Sequence, residues 1–219
     1  MILETIVTGT FGSNCYIVGS EATKEAMVVD PGADADRILA TLRHHGLKAD
    51  LILVTHSHTD HIGAVPEVKK ATGARVAMHA LTLQEAQGQS RLAAQMFYMI
   101  TPALDPPDIE LGEDDEVKVG DLAFRVLHCP GHTQGHICLY GHGVLLAGDV
   151  IFQGSIGRFD FPGGDGRQLL TSIRDKILPL PDDTAIHSGH GPATTLALEK
   201  QHNPFIRMLD RILAGEVRI

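Results

Sequence analysis

Apolar positions along the chain fall into short runs rather than long blocks. Ile2 to Val7, Tyr16 to Val18 and Met27 to Val29 are apolar or β-branched segments parted by Gly, Ser and Asn clusters, which predicts a strand meander at the start. Asp30-Pro31-Gly32 makes a turn. Asp34 or Asp36 then stands where a helix cap belongs, and Ile38, Leu39 and Leu42 recur at helical spacing before Gly46 stops the pattern. Leu51-Ile52-Leu53-Val54 is continuously apolar, as expected of a strand buried on both faces. It ends abruptly in a polar segment, after which Ile62 to Ala71 reads as a helix stopped by Gly73, and Arg75 to Met78 as another strand. Thr82 to Met99 predicts a Met-rich helix, with Met96 to Ile100 as interface or core, and the proline- and acid-rich stretch Thr101 to Asp115 an exposed loop.

A second set of strands follows at Glu116 to Val119, Leu122 to Leu127, Ile137 to Tyr140 and Val144 to Ala147. A glycine-rich loop from Gly154 to Gly166 leads to a helix near Gln168 to Ile177, a strand at Thr184 to His187 and terminal helices from about Thr195. Both halves thus run through strands, then a helix, with polar residues at strand ends. That plan predicts an α/β fold, two mixed β-sheets flanked by helices on their outer faces, with residues 1–219 as one domain.

Composition narrows the classes. The chain has 219 residues, 43% apolar and 21% charged, which excludes a disordered or fibrous protein. No apolar stretch approaches the roughly 18 residues of a membrane span, and the start MILETIV lacks a basic n-region, so a cytoplasmic protein without a membrane partner is expected. Eighteen Lys and Arg against 27 Asp and Glu give a net charge of −9, which argues against nucleic acid as a partner. Cys15, Cys129 and Cys138 form no C-x-x-C pair and read as free thiols, the last two as small buried apolar residues.

The 13 histidines change the picture, because nine of them lie in three clusters, at 56 to 61, 128 to 142 and 187 to 190. Immediately after the buried strand comes Thr55-His56-Ser57-His58-Thr59-Asp60-His61. In an extended segment alternate residues face one side, so His56, His58 and Asp60 can converge, and a turn can bring His61 around. Three further candidates sit at strand ends: His132 after Cys129-Pro130-Gly131, Asp149 after Ala147-Gly148, and His190 between Gly189 and Gly191. Seven ligands are too many for one tetrahedral ion, whereas two ions bridged by one carboxylate use them all. Imidazole and carboxylate donors suit two Zn2+, with Fe or Mn as alternatives. Structural zinc sites are usually closed and cysteine-rich, so a non-catalytic metal-binding module ranks last. His136 reads as a group packed behind the site rather than a ligand, and His79 and His128 as residues of core or loop near the cleft.

The motifs Thr55 to His61, Gly131-His132-Thr133-Gln134-Gly135-His136, Gly148-Asp149 and Gly189-His190-Gly191-Pro192 together resemble the metallo-β-lactamase superfamily, in order and spacing along the whole chain. Gly157-Arg158-Phe159, Thr194-Thr195, Glu199-Lys200 and Asn203-Pro204-Phe205 resemble its glyoxalase II-like group of hydroxyacylglutathione hydrolases, in the short form without a C-terminal helical domain. The resemblance implies an αββα sandwich with the site at one edge between the sheets. It implies that His56, His58 and His132 hold one metal, that Asp60, His61 and His190 hold the other, and that Asp149 bridges them. The implied activity is hydrolysis of a thioester, such as S-lactoylglutathione, or a related ester. A metal pair lowers the pKa of its water from 15.7 toward roughly 7, so hydroxide is the nucleophile and Asp60 orients it as the catalytic residue. Arg158 is the candidate for pairing with a substrate carboxylate. Gly157-Arg158-Phe159-Asp160-Phe161 also partly resembles a motif of persulfide dioxygenases on the same fold, which makes a single iron on His56, His132 and Asp149 the alternative.

Overall fold

The computed structural model describes residues 1–96 and 103–217, except for the side chains of 89–96. The first half runs β1 (Ile2–Thr8), β2 (Ser13–Gly19), β3 (Glu25–Val29), α1 (Ala35–His44), β4 (Lys48–Leu53), α2 (Thr59–Ile62), α3 (Val65–Thr72), β5 (Arg75–His79), α4 (Ala80–Met96) and β6 (Ile109–Leu111). The second runs β7 (Glu116–Val119), β8 (Leu122–His128), β9 (Ile137–Gly141), β10 (Val144–Gly148), the hairpin β11 (Ile151–Phe152) and β12 (Ser155–Ile156), and α5 (Gly166–Ser172). A π-helical turn at Ile173–Ile177, β13 (Ala185–Ser188), β14 (Thr194–Thr195), α6 (Leu196–His202), α7 (Pro204–Arg207) and α8 (Leu209–Leu213) complete it.

Two six-stranded sheets form, in the orders β1-β2-β3-β4-β5-β6 and β14-β13-β10-β9-β8-β7. Both are mixed: β3 to β6 pair in parallel after the antiparallel β1 and β2, and β10 pairs in parallel with β13 beside the antiparallel β7 to β10. Side-chain alternation explains the layers. On β4, Leu51 and Leu53 pack between the sheets with Phe124, Ile137, Leu139 and Leu146, whereas Ile52 and Val54 turn outward under Ile38 and Leu42 of α1 and Val65 and Val68 of α3. The outer face of the second sheet, through Leu127, Cys138, Leu145 and Ile186, is covered by Leu169 and Leu170 of α5, Leu196 of α6 and Ile212 of α8. The layers are therefore helix, sheet, sheet, helix, the expected αββα sandwich. No described helix is long and apolar enough to cross a membrane.

Three details differ from the sequence reading. The stretch read as a loop at Thr101 to Asp115 contains β6, because the free edge of β5 pairs with it from Ala77↔Ile109 to His79↔Leu111 despite the flanking prolines and acids. Asp34 stands at the start of α1, yet its carboxylate accepts from Gly9 N–H at 3.0 Å and Arg37 rather than capping the helix. Asp165 caps α5 through Gln168 N–H, but the helix read as ending at Ile177 widens to a π turn from Ile173. The Met96 to Ile100 stretch lies outside the residues whose side chains are described.

Candidate metal centre

All seven predicted residues meet where β4, β8, β10 and β13 end, at one edge between the sheets. Hydrogen bonds join the sheets there. Asn14 N–H on β2 donates to Gly189 O at 2.7 Å, Tyr16 Oη to Ser188 O at 2.6 Å, and Ile137 N–H to Thr55 O at 2.9 Å. Glycines let the loops close on one another. A Cβ on Gly189 would lie 2.1 Å from Asp149 Oδ1, and one on Gly157 would lie 1.9 Å from Asp149 O.

Two sets of donor atoms result. One atom each of His56, His58, His132 and Asp149 lie within 4.8 Å of one another, as do atoms of Asp60, His61 and His190. Asp149 reaches both sets: its Oδ2 is 3.6 Å from His132 Nε2 and 3.9 Å from His56 Nε2, and the same carboxylate is 3.6 Å from His61 Nε2 and 3.7 Å from His190 Nε2. Within the sets, His58 Nδ1 and His132 Nε2 stand 2.9 Å apart, and His61 Nε2 and His190 Nε2 3.3 Å apart.

A shell of hydrogen bonds fixes which nitrogen of His56, His61 and His132 faces the cluster. His132 donates Nδ1–H to Arg158 O at 2.6 Å, which leaves Nε2 as a lone pair. Asp30, buried and at φ 51°, accepts Thr55 N–H on Oδ1 at 2.7 Å and Thr55 Oγ1–H on Oδ2 at 2.6 Å. The Thr55 hydroxyl, with its hydrogen committed to Asp30, accepts His56 Nδ1–H at 3.0 Å, and Asp30 Oδ2 also takes His61 Nδ1–H at 3.0 Å. One carboxylate thus aims the Nε2 atoms of both His56 and His61 at the cluster. His136 stacks on His56 at 4.8 Å and accepts Asp149 N–H on Nε2, so it packs behind the site, as its spacing predicts.

Charge divides the sets. Burial pushes His56 well down, His58 down to about 3 and His132 down, so these imidazoles are neutral at pH 7. Burial also opposes the charge of His61, but Asp149, Asp30 and Asp60 outweigh it and hold His61 up to about 9. His190 is raised by its contact with Asp60; Asp60, which burial alone would raise, is drawn down to about 2 by His190 and His61. The fit to cations rests on two orphans: the buried His56 Nε2 and Asp149 Oδ1 have no hydrogen-bond partner. Such a group costs about 1–3 kcal/mol unless something meets it, and bound cations would meet both. The histidine and aspartate cluster fits a binuclear metal site.

The Arg158 side chain stands apart from the donor sets. Its guanidinium is exposed, paired with Asp160 at 2.8 and 2.9 Å, and lies 4.2 Å over the Phe161 ring, whose edge faces His58 at 5.7 Å. The rim of the site therefore carries one cation on an aromatic platform. Sequence reasoning missed Asp30, hidden in an Asp-Pro-Gly turn pattern, and Glu85 on α4, which bonds to the His132 loop. Asp30 did carry a signal, since it ends a buried strand just as Asp149 does.

A model of the metallo-beta-lactamase superfamily matches residues 8–190, and the chain belongs to that superfamily. Among its relatives is the hydroxyacylglutathione hydrolase GloC of Haemophilus influenzae, 38% identical over 211 residues, spanning 94% of this chain and 98% of that protein. Its fold is similar to that of BLEG-1, a B3 metallo-beta-lactamase (TM-score 0.86, 37% identity, 94% of this chain and 99% of that one). It is also similar to TTHA1623 in a di-iron-bound form (TM-score 0.83, 37% identity, 92% and 99%). Superfamily members are typically metal-dependent hydrolases, and a glyoxalase II-like assignment within it is supported by GloC.

Proposed function

We propose that the protein is a binuclear metal-dependent hydrolase of thioesters, with a hydroxyacylglutathione such as S-lactoylglutathione as substrate. The observation that carries this reading is the pair of donor sets sharing Asp149. His56, His58 and His132 would hold one metal, Asp60, His61 and His190 the other, and Asp149 would join them. Two Zn2+ suit these nitrogen and oxygen donors, and the similarity to a protein in a di-iron-bound form supports iron as the alternative. Bound there, the pair supplies hydroxide at neutral pH and a Lewis acid for the substrate carbonyl.

The chain's own groups do the rest. Asp60, ionised at neutral pH, is the acceptor that orients the attacking O–H, the role given to it as the catalytic residue. A thiolate leaves without help from an acid, so no further proton donor is required. All three cysteines are fully buried, so the described residues offer no thiol nucleophile to a substrate. Arg158 on Phe161 is the substrate-binding residue: an exposed ion pair such as Arg158–Asp160 is worth only about 0–1 kcal/mol, so a substrate carboxylate can exchange with Asp160 at small cost. The neighbouring reading, a single iron on His56, His132 and Asp149 acting as a persulfide dioxygenase, leaves the complete Asp60, His61 and His190 set without a task.

The test is loss of thioester absorbance with S-lactoylglutathione, metal-replete, for the wild type and Asp60→Asn, with a β-lactam as counter-substrate. Thioester turnover that falls at least 100-fold in Asp60→Asn is expected. Preferred turnover of the β-lactam, or oxygen uptake with a persulfide and no thioester hydrolysis, refutes the reading.

A further inference from the structure

Helix α4 carries none of the seven donors, yet its first turns bind the loop that carries His132. The Glu85 carboxylate accepts Gln134 N–H at 2.6 Å and Gly135 N–H at 3.2 Å. Thr82, three residues earlier on the same helix face, is buried and donates Oγ1–H to Gly135 O at 3.1 Å. The loop is seated closely: a Cβ on Gly135 would come within 2.7 Å of Thr82 N and 3.1 Å of Glu85 Oε2. Gln134 lies two residues beyond His132. Glu85 therefore receives two backbone bonds from the loop that follows this histidine.

We propose that Glu85 is a positioning residue of the metal centre: its carboxylate ties the His132 loop to helix α4 and so places His132 in the first donor set. This rests on the two-metal reading above. A glutamine at the same place keeps one carbonyl oxygen but turns an NH2 toward donors that had an acceptor, so at least one loop bond is lost. The Asp60, His61 and His190 set has no bond to Glu85 and is the internal control.

The experiment is titration of metal-free protein with Co2+ alone, followed by its visible absorption bands. A His190→Ala background isolates the first set, and a His132→Ala background the second. Glu85→Gln is expected to weaken Co2+ binding about 10- to 100-fold and shift the bands in the first background, with less than a twofold change in the second. Thr82→Val should act in the same direction with a smaller loss, and it decides the matter if Glu85→Gln does not fold. Equal losses in both backgrounds, or none in the first, overturn the positioning role. If the His190→Ala protein with Glu85 intact takes up no Co2+, the two-metal reading itself fails.

Discussion

Asp30→Asn changes one atom and should strip a lone pair from each donor set. The amide has only one orientation open to it, because Thr55 N–H, 2.7 Å from Oδ1, is a fixed donor and must keep an oxygen acceptor. The NH2 then occupies the place of Oδ2, facing Thr55 Oγ1 and His61 Nδ1. The neutral His61 ring that binds a metal must now accept there, which puts its one proton on Nε2, the atom 3.6 Å from Asp149 and 3.7 Å from Asp60. The Thr55 hydroxyl, receiving the amide proton, turns its own hydrogen to His56 Nδ1, and the His56 proton moves likewise to Nε2. Restoring His61 costs its charge-assisted bond to Asp30, about 1.5–3 kcal/mol, and restoring His56 its neutral bond to Thr55, about 0.5–1.5 kcal/mol. At about 1.4 kcal/mol per decade that is roughly 10- to 100-fold in metal affinity for the His61 set, the range usual for a partner that orients a metal-binding histidine, and about 2- to 10-fold for the His56 set. Zinc competition against a chromophoric chelator measures both affinities. Unchanged binding, or a loss confined to one set, would refute the relay through Thr55.

Other consequences are as direct. Asp149→Ala removes the group common to both sets, and metal content measured by elemental analysis should fall below one ion per chain with at least a 100-fold loss of turnover. Gly189→Ala places a methyl 2.1 Å from Asp149 Oδ1 and 2.7 Å from His61 Cε1, so metal affinity should fall while circular dichroism keeps its folded shape. The metal-free protein should be most stable to heat near pH 6.5. His56, His58 and His132 have folded pKa values below 6.5, so the unfolded chain takes up protons first and stability falls as pH drops below that value. His61, held up to about 9, and His190, also raised, contribute stability that is present below 6.5 and lost as pH rises toward 9. A metal-free melting temperature that climbs steadily from pH 6 to 9 contradicts that assignment.

The site was legible in the sequence to the extent that its residues are local or sit at an abrupt end of a buried strand. Four donors lie within His56 to His61, and Leu51 to Val54 announces a strand buried on both faces because two of its side chains face each layer. The groups that aim those donors were not legible. Asp30 acts through a hydroxyl 25 positions away, Glu85 through backbone amides 49 and 50 positions away, and neither residue type differs there from an ordinary turn former or helix surface residue. Arg158 illustrates a different gap, since its carbonyl rather than its guanidinium meets His132, and no side-chain pattern encodes a carbonyl. Short pieces such as β6 and the β11–β12 hairpin were hidden for a related reason: they exist because a neighbouring edge or partner offers pairing, not because two or three residues prefer to be extended.

The claim that two metals act together on a thioester is tested most directly by adding Zn2+ stepwise to metal-free protein while S-lactoylglutathione hydrolysis is recorded. Turnover that rises through the second equivalent and levels there is the predicted result. Full activity at one equivalent, or none with two ions bound, would contradict it.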